Sequence, residues 1–405
     1  MRDLASGQSW TFSELCREAE GPLPDNCGII FPQGNSSEFV ISVLKAWRSE
    51  VIVCPLEAHH RPPDLLLPPR PCCHLKITPA GTAGGHVVAF TADQLAADAG
   101  NIVMTMGLRP DWPNLGVISL AYSYGFSNLV LPLLLHGIPL FLAPSPLPVA
   151  LRCAAHADWN LTVAGVPALW HAWHKAGAIL SNVRLAISAG APLPLSLERE
   201  VFYEHHVKIH NFYGCTECGG VSYDASAEPR ANESSVGKPL NNVTVQIGGD
   251  GFLRVGSRAV AETYWPRAEE TLVPGLFRTG DLAEIIDGDI FLLGRADDHI
   301  NVAGRKVMPT VIEEALLKHE AVEECVVFGV PSANADRVDL IVACVNMRRE
   351  GAKEELKQFL LQRLPGWQVP REWWFVKSRN GRGKLSRAEW RQSFLESRLL
   401  RGDAA

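Results

Sequence analysis

The sequence predicts an α/β protein. We expect a large N-terminal domain of mostly parallel sheets with helices plus a small antiparallel subdomain, and then a small α+β C-terminal domain. Two observations support this prediction. Up to about residue 235, apolar strand-like runs alternate with helix-like segments, which is the pattern of parallel sheets covered by helices. Beyond that point short strand-like runs follow one another at glycine and aspartate turns, and helices return after about residue 298.

Composition and charge are those of an ordinary globular protein. The chain has 405 residues, of which 47% are hydrophobic and 20% are charged, so it can bury a large core in two or more domains. The net charge of −6 argues against a broad phosphate-backbone footprint, and we expect no nucleic-acid partner. The N-terminus lacks an apolar leader, which favours a cytoplasmic location.

The first part of the chain contains strand and helix signals in alternation. A βαβ-like unit precedes a proline-rich linker and a strand that ends in a glycine-rich loop, and the segments are, in order, GIIF, a helix near 36–47, VIVCPL, the linker 61–71 and HLKIT. Further strand and helix signals follow as VVAFT, a helix over 92–106, LGVISLA, a helix over 126–135, PLFLA, LTVAGV, a helix after Pro167, VRLAISAG, a helix over 195–205 and KIHNFYG. This order predicts a largely parallel sheet.

The stretch from Leu115 to Leu151 carries no Asp, Glu, Lys or Arg and is long enough to span a membrane. It also contains prolines and polar residues, and it reads as strand, helix and strand rather than one helix. Buried parallel strands and the helices between them can be equally apolar. We therefore expect a buried βαβ unit and no membrane span.

The second part of the chain divides at Gly294–Asp297. An N-terminal domain over 1–295 would contain the antiparallel subdomain at about 236–295, and a C-terminal domain would occupy 298–405. The C-terminal pattern is a helix over 310–319, the strands CVVFGV and DLIVACVN, a helix over 353–363 and the strand EWWFV.

Four short motifs contain the residues suited to nucleotide chemistry. The strand KIHNFYG breaks at Tyr213, Thr216 and Glu217, which offer a stacking ring, a hydroxyl and a Mg²⁺-binding carboxylate at a strand end, where ligands of open α/β sheets bind. Later come FRTGDL, GRADDHINVAG and GRGKLSR. Each motif alone also fits a plain turn, an ion-paired loop or a solvated tail.

The four motifs together, in this order, resemble the adenylate-forming superfamily, which includes acyl-CoA synthetases, aryl-acid ligases, peptide-synthetase adenylation domains and luciferases. The resemblance covers roughly residues 75–390 and implies a first subdomain that is shortened at its N-terminus. It implies an enzyme that adenylates a small carboxylic acid with ATP and Mg²⁺. The acyl group would then pass to CoA or to the phosphopantetheine of an acyl carrier protein.

The resemblance also implies residue roles. The catalytic residues would be Lys384, Glu217 and Thr216, with Glu217 as the metal ligand. The nucleotide would be bound by Thr78, Gly81, Thr82, Gly190, Ala191, Tyr213, Gly214, Asp281 and Arg295. Asp297 would be the hinge of the C-terminal domain, and Gly304 would lie along the thiol channel.

The phosphate loop departs from the family pattern. Pro79 stands where relatives have a serine, and His86 stands where they have the closing lysine. Proline has no N–H to donate, and a neutral imidazole is a weaker phosphate partner than an ammonium group. An alternative hypothesis is therefore a non-catalytic or weakly active relative that binds nucleotide or an acyl ligand.

The acyl substrate is expected to be apolar, either fatty or aryl. The motif Ser119–Ser127 has no carboxylate to pair with an α-amino group, which disfavours amino-acid substrates. We expect Tyr122, Phe126 and Gly190 to face the acyl group.

Two further features have plainer interpretations. Cys215 and Cys218 form a single CxxC, whereas finger-type zinc sites need two such pairs, so unpaired cysteines are favoured. His171 and His174 can share a helix face, and His205 and His206 mark a helix end. The sequence places no third metal ligand beside them.

Overall fold

In a computed structural model of the protein, the described residues are 1–21, 23, 28–78, 87–155, 159–295, 300–302, 305–331, 339–349, 353–376 and 387–400. The chain divides into two compact units: the first holds Met1–Ala80, Gly84–Thr279 and Ala283–Leu292, and the second holds Leu293–Ala405 together with the short piece Gly280–Leu282. Among the described residues, no helix has the length and apolar character needed to cross a membrane.

The first unit contains a sheet built around the strand over 72–77, which precedes the glycine-rich segment. Its order is β15-β5-β4-β3-β2 within the described residues. Strands β2 and β3 are parallel, β3 and β4 are parallel, and β4 and β5 are antiparallel. The bounds are β2 (Ile29–Ile30), β3 (Ile52–Val53), β4 (Cys72–Ile77), β5 (Val87–Thr91) and β15 (Thr263–Trp265). Helix α2 (Ser37–Arg48) connects β2 to β3, which confirms the predicted βαβ unit.

A larger sheet contains the predicted parallel strands. Its order is β1-β7-β6-β8-β9-β10-β11-β12 in the described part of the chain. The strands from β1 to β10 pair in parallel, and β11 and β12 add antiparallel strands. The bounds are β1 (Arg2–Asp3), β6 (Asn114–Gly116), β7 (Leu140–Leu142), β8 (Leu161–Gly165), β9 (Val183–Ser188), β10 (Ile209–Cys215), β11 (Gly219–Tyr223) and β12 (Lys238–Pro239).

Helices connect these strands and bury their apolar faces. They are α1 (Phe12–Glu18), α3 (Ala92–Met106), α4 (Ser123–Gly125), a π-helical turn (Phe126–Val130), α5 (Leu131–His136), α6 (Pro148–Ala155), α7 (Pro167–Lys175) and α8 (Leu195–His205). Helix α3 has the predicted bounds. It starts with a capping box between Thr91 and Gln94 and ends at the left-handed Gly107. The helix predicted over 126–135 is instead divided between the π-helical turn and α5, and the short helix α4 precedes it.

A sheet of antiparallel strands completes the first unit. It confirms the antiparallel strands that the sequence predicts after residue 235. The sheet has the order β13-β14-β17-β16, with β18 paired to β17. The bounds are β13 (Thr244–Ile247), β14 (Phe252–Gly256), β16 (Leu272–Val273), β17 (Leu276–Ile286) and β18 (Asp289–Arg295).

The second unit has a small core of its own. Strands β21 and β22 are antiparallel, and β22 and β23 are parallel. The elements are β19 (Ile300–Val302), β20 (Arg305–Val307), α9 (Pro309–Leu317), β21 (Val322–Pro331), β22 (Asp339–Met347), α10 (Lys353–Leu361), β23 (Glu372–Val376) and α11 (Arg387–Leu400). Buried residues from β21, β22, α9 and α10 form its apolar core.

Candidate active site

A tight hairpin positions the central motif. Strand β10 ends at Cys215, Thr216–Cys218 form the turn, and β11 returns from Gly219. The sequence predicts a loop here and misses the returning strand. Gly219 has φ +68°, and a Cβ there would collide with the Asp98 carboxylate. A Cβ on Gly214 would lie 2.5 Å from the Gly219 carbonyl oxygen, so glycine allows the two strands to approach closely.

The sheet register brings the proposed adenine-binding residues to one edge. Strands β9 and β10 are parallel neighbours, with Asn211 opposite Ser188. Gly190 and Ala191 follow the end of β9, and the half-buried Tyr213 lies two residues beyond Asn211. The two segments therefore lie at the carboxyl edge of the sheet, where ligands of open α/β sheets bind.

A tyrosine that the sequence analysis misses orients Glu217. The Tyr264 hydroxyl donates to Glu217 Oε1 at 3.0 Å, and the Ala261 N–H donates to the Glu217 carbonyl at 2.8 Å. Among the described residues, Oε2 accepts no hydrogen bond. Carboxylate oxygens are the ligands that Mg²⁺ prefers, so a half-buried carboxylate held in this way fits a magnesium ligand.

A buried lysine lies behind the same turn. Lys76 is 4% exposed, and its Nζ donates to the Ser123 and Ser127 hydroxyls at 3.2 and 3.3 Å. Ser127 donates to Asp98 at 2.6 Å, and Asp98 accepts from the Gly220 N–H at 2.9 Å. These contacts connect β4, the π-helical turn, α3 and β11.

Two opposing effects act on the pKa of Lys76. Burial lowers the pKa of the ammonium group, while the nearby carboxylates of Asp98 and Glu217 act in the opposite direction. The ammonium group also lies 4.7 Å from the centre of the Phe90 ring. Hydroxyls and a ring therefore hold this ammonium group, and the Asp98 and Glu217 carboxylates oppose the effect of its burial.

The aromatic motif between Ser119 and Ser127 differs from the expected acyl pocket. Tyr122 is 54% exposed and can face a ligand. Phe126, by contrast, is 1% exposed, and its ring packs on Phe39 and Trp47 and lies 4.4 Å from His74. The expectation that Phe126 faces the acyl group is therefore wrong, because its position in the π-helical turn directs the ring into the core.

Tyr124, two residues before Phe126, lies at the ends of two strands of the large sheet. Its hydroxyl donates to the Gly165 and Ile187 carbonyl oxygens at 3.4 and 3.3 Å, at the carboxyl ends of β8 and β9. Burial raises the pKa of this hydroxyl, so it stays protonated and remains a donor. The sequence pointed to this residue as well, since Tyr124 belongs to the same aromatic run as Tyr122 and Phe126.

The other predicted residues are placed as follows. Thr78 directly follows β4 and is half-buried, Thr216 is half-buried in the turn, and Asp281 is half-buried in β17. Arg295 ends β18, and its side chain lies outside the described part. Also outside the described residues are Gly81, Thr82, Asp297, Gly304 and Lys384, together with Pro79 and His86.

The two turn cysteines correct an expectation. Cys215 and Cys218 are joined by a disulfide with their Cα atoms 5.6 Å apart, so the expectation of unpaired thiols there is wrong. The bond closes the turn that contains Thr216 and Glu217. Sequence alone gave the CxxC spacing and not the tight hairpin that brings the two sulfurs together.

Sequence models of known families match both parts of the chain. An AMP-binding enzyme model matches residues 87–265, and an AMP-binding enzyme C-terminal domain model matches residues 311–384. Together these two regions make up more than half of the chain.

Individual relatives are named CoA ligases. A feruloyl-CoA synthase from Amycolatopsis sp is 28% identical, covering 83% of this chain and 73% of that protein. An anthranilate–CoA ligase from Pseudomonas aeruginosa is 32% identical, covering 56% of this chain and 48% of that protein.

The fold is also found among solved structures. ATP-bound MatB from Rhodopseudomonas palustris aligns with a TM-score of 0.84 and 19% identity, over 97% of this chain and 95% of that one. Both the sequence models and the fold lead to one conclusion: the chain belongs to the AMP-binding enzyme family of the adenylate-forming superfamily.

Proposed function

We propose that the protein is an ATP-dependent acid–thiol ligase. It adenylates an apolar carboxylic acid and transfers the acyl group to CoA or to the pantetheine of a carrier protein. The observation that carries the proposal is the hairpin turn at the carboxyl edge of the large sheet, where Tyr213 and an oriented Glu217 lie together. The family membership and the CoA-ligase names of the relatives support the same reaction class.

In the first half-reaction, a carboxylate oxygen of the acid attacks the α-phosphorus of ATP, pyrophosphate leaves, and an acyl-adenylate forms. Both reactants are anions, so the site must supply positive charge where the phosphorus gains a fifth oxygen. A Mg²⁺ ion bound with the nucleotide would neutralise phosphate charge. Glu217 would bind that ion, and Tyr264 holds the carboxylate in orientation.

The nucleotide would extend from the hairpin. Tyr213 would pack on the adenine against Gly190 and Ala191, and Asp281 and Arg295 would bind the ribose. Thr216 with Gly214 would contact the α-phosphate side. The remaining contacts would come from Thr78, Gly81, Thr82 and Lys384, the last of which would bridge the acyl carboxylate and the phosphate.

In the second half-reaction, the thiol sulfur attacks the acyl carbon and AMP leaves. We assign the C-terminal domain, 298–405, to the exchange between the two half-reactions. Asp297 would be its hinge, and Gly304 would line the path of the incoming pantetheine. The two attacks are on different atoms, first the α-phosphorus and then the acyl carbon, and an exchange of residues between the steps would serve both.

The acyl group is proposed to be aryl rather than fatty. The proposal rests on the exposed ring of Tyr122 and on Tyr124, whose hydroxyl lies at the strand ends. The feruloyl and anthranilate relatives are named for aryl acids. The motif Ser119–Ser127 offers no carboxylate to an α-amino group.

The test is acid-dependent exchange of pyrophosphate into ATP, with a panel of aryl, fatty and amino acids. We expect exchange with one or more aryl acids, and a decrease of about 10²-fold or more in Glu217→Gln and Lys384→Ala. A Thr263→Ser variant, next to Tyr264 and away from the carboxylate, is the control. Absence of exchange with every acid, or full exchange in Lys384→Ala, would contradict the proposal.

A second candidate is a binding protein of the same family with little or no turnover. Pro79 and His86 in the phosphate loop favour it, because both weaken the usual grip on phosphate. It predicts nucleotide or acyl binding by calorimetry without pyrophosphate release. A His86→Lys variant separates the two: a large gain in exchange indicates a handicapped enzyme, and binding without exchange in both proteins indicates the second candidate.

A further inference from the structure

The ends of two neighbouring helices form a side-chain cluster that the proposed reaction does not use. His174 lies in the last turn of α7, and His205 is the last residue of α8. Each helix leads from the carboxyl end of one parallel strand to the amino end of the next. The cluster is therefore at the amino edge of the large sheet, opposite to the candidate active site.

The two imidazole rings face each other through one nitrogen each. His174 Nδ1 and His205 Nε2 are 3.2 Å apart, and the rings are nearly perpendicular at 86°. In a tetrahedral Zn²⁺ site with Zn–N bonds of about 2.0–2.1 Å, two imidazole nitrogens are separated by roughly 3.3–3.4 Å. The observed separation is close to that value.

A carboxylate completes a set of three ligands. Glu204 offers an oxygen, and the ligand atoms of His174, Glu204 and His205 all lie within 4.8 Å of one another. A hydrogen bond between the two rings would explain why their nitrogens are close. It would not explain the carboxylate beside them. Two imidazoles and a carboxylate suit zinc among the common divalent ions.

The outer nitrogen of His174 also has the partner that metal ligands usually have. His174 Nε2 lies 3.5 Å from the Glu200 carboxylate, one turn before Glu204 on α8. Ligating histidines typically direct their second N–H to a carboxylate, which sets the tautomer and turns the lone pair of the other nitrogen toward the metal. With Nε2–H directed to Glu200, the Nδ1 lone pair of His174 points toward His205.

The local electrostatics favour a cation. Helices α7 and α8 both end here, so their last carbonyl groups place partial negative charge at the cluster. Glu200 and Glu204 add two carboxylates.

We propose that His174, Glu204 and His205 form a Zn²⁺-binding site, with Glu200 as a positioning residue, which connects the ends of α7 and α8. Water would complete the tetrahedron, since the cluster is partly exposed. The site is independent of the ligase proposal, because its residues lie at the other edge of the sheet.

The experiment measures zinc uptake by the full-length protein after removal of metal with a chelator. Equilibrium dialysis against ZnCl₂ should give one equivalent in the wild-type protein. Co²⁺ substitution should give the visible bands of a tetrahedral centre without thiolate charge-transfer bands, which excludes the cysteines as ligands. Zinc should also raise the thermal midpoint, since it binds the folded form.

The variants decide the assignment. His174→Asn and His205→Asn should weaken zinc binding by more than tenfold, on the order expected for lost ligands, and Glu200→Gln by about tenfold. The matched controls His171→Asn, on the same helix, and His206→Asn, next to His205, should bind as the wild type does. The exposed Glu204→Gln variant keeps the test valid if a histidine variant fails to fold.

Two results would overturn the proposal. One is a wild-type protein that takes up no zinc. The other is uptake that survives in His174→Asn, His205→Asn and Glu204→Gln, because zinc would then be bound elsewhere. Neither result bears on pyrophosphate exchange, so the ligase proposal is tested separately.

Discussion

The two ends of the β10–β11 hairpin each hold a buried lysine, and the two lysines are held differently. At the start of the hairpin, Lys208 Nζ contacts the carboxylates of Glu198 and Asp224 directly. Arg230 pairs with the same Glu198 at 2.9 Å. At the turn, Lys76 contacts the hydroxyls of Ser123 and Ser127, and a carboxylate is reached only through Ser127.

The difference separates a structural network from one suited to function. Burial raises the pKa of Asp224, but the hydrogen bonds from Lys208 and Ser226 more than offset this and keep it low, so the charges at the start of the hairpin compensate one another. At the turn, burial lowers the pKa of Lys76, and the Asp98 and Glu217 carboxylates oppose this only in part. A buried charge that is only partly compensated costs stability, and groups with shifted pKa values cluster at functional sites.

The largest effect is expected from breaking the compensated network. Glu198→Ala leaves Arg230 and Lys208 buried with a partner missing, which should lower the free energy of unfolding by about 3–5 kcal/mol. Urea denaturation measures this. The control is Arg109→Ala, which breaks an exposed pair with Asp111 and should cost less than about 1 kcal/mol. Equal losses in the two variants would show that the Glu198 network has no special role.

The network at the turn should lose less stability. Lys76→Met removes a desolvated ammonium group but leaves the buried Asp98 carboxylate without a nearby cation, so the free energy of unfolding should fall by about 1–3 kcal/mol. Pyrophosphate exchange should fall by about 10²-fold, because a cation near Glu217 is lost. A large loss of stability with full activity per folded molecule would make Lys76 structural, as Lys208 is.

A smaller effect is expected from the residue that orients Glu217. Tyr264→Phe keeps the ring and removes the hydroxyl that donates to Oε1 at 3.0 Å. The Mg²⁺ concentration needed for half-maximal exchange should rise about 10–100-fold, the usual cost of removing a partner of a metal ligand. The matched variant Tyr223→Phe alters a tyrosine on β11 and should change this Mg²⁺ concentration less than twofold. An unchanged Mg²⁺ requirement in Tyr264→Phe would contradict this role of the hydroxyl.

The smallest effect concerns His74, two residues before Lys76 on β4. His74 is buried, its ring nitrogens have no hydrogen-bond partner among the described residues, and burial lowers its pKa well below 6.5. Below pH 6.5 the unfolded chain takes up a proton that the folded protein excludes, so this group lowers stability as the pH falls. The slope is at most about 1.4 kcal/mol per pH unit.

A His74→Phe variant checks this by urea denaturation at several values between about pH 5 and 7. The variant should lose less stability on acidification than the wild type does. A His59→Phe variant, at an exposed loop position, should keep the wild-type pH dependence. Identical pH profiles for the wild type and His74→Phe would show that the histidine is not held neutral by burial.

Sequence reasoning predicted most of the fold and part of the site. The alternation of apolar strands and helices predicted the parallel sheet, because this pattern depends only on residues that are near one another along the chain. The stretch around Tyr213 and Glu217 predicted the candidate site, since a ring, a hydroxyl and a carboxylate follow one strand end. The Phe126 assignment failed because a sequence shows which residues are near one another along the chain, not which way a π-helical turn directs a ring.

By itself, the sequence determined the family, the order of its elements and the residues of its motifs. These depend on local pattern and on residue types at set spacings. Only the tertiary structure decided which residues support the motif: Tyr264 is 47 residues from Glu217, and Asp98 is 122 residues from Gly220. It also brought His174 and His205 together across 31 residues. Such partners are chosen by sheet register and helix packing, which position side chains that no local period connects.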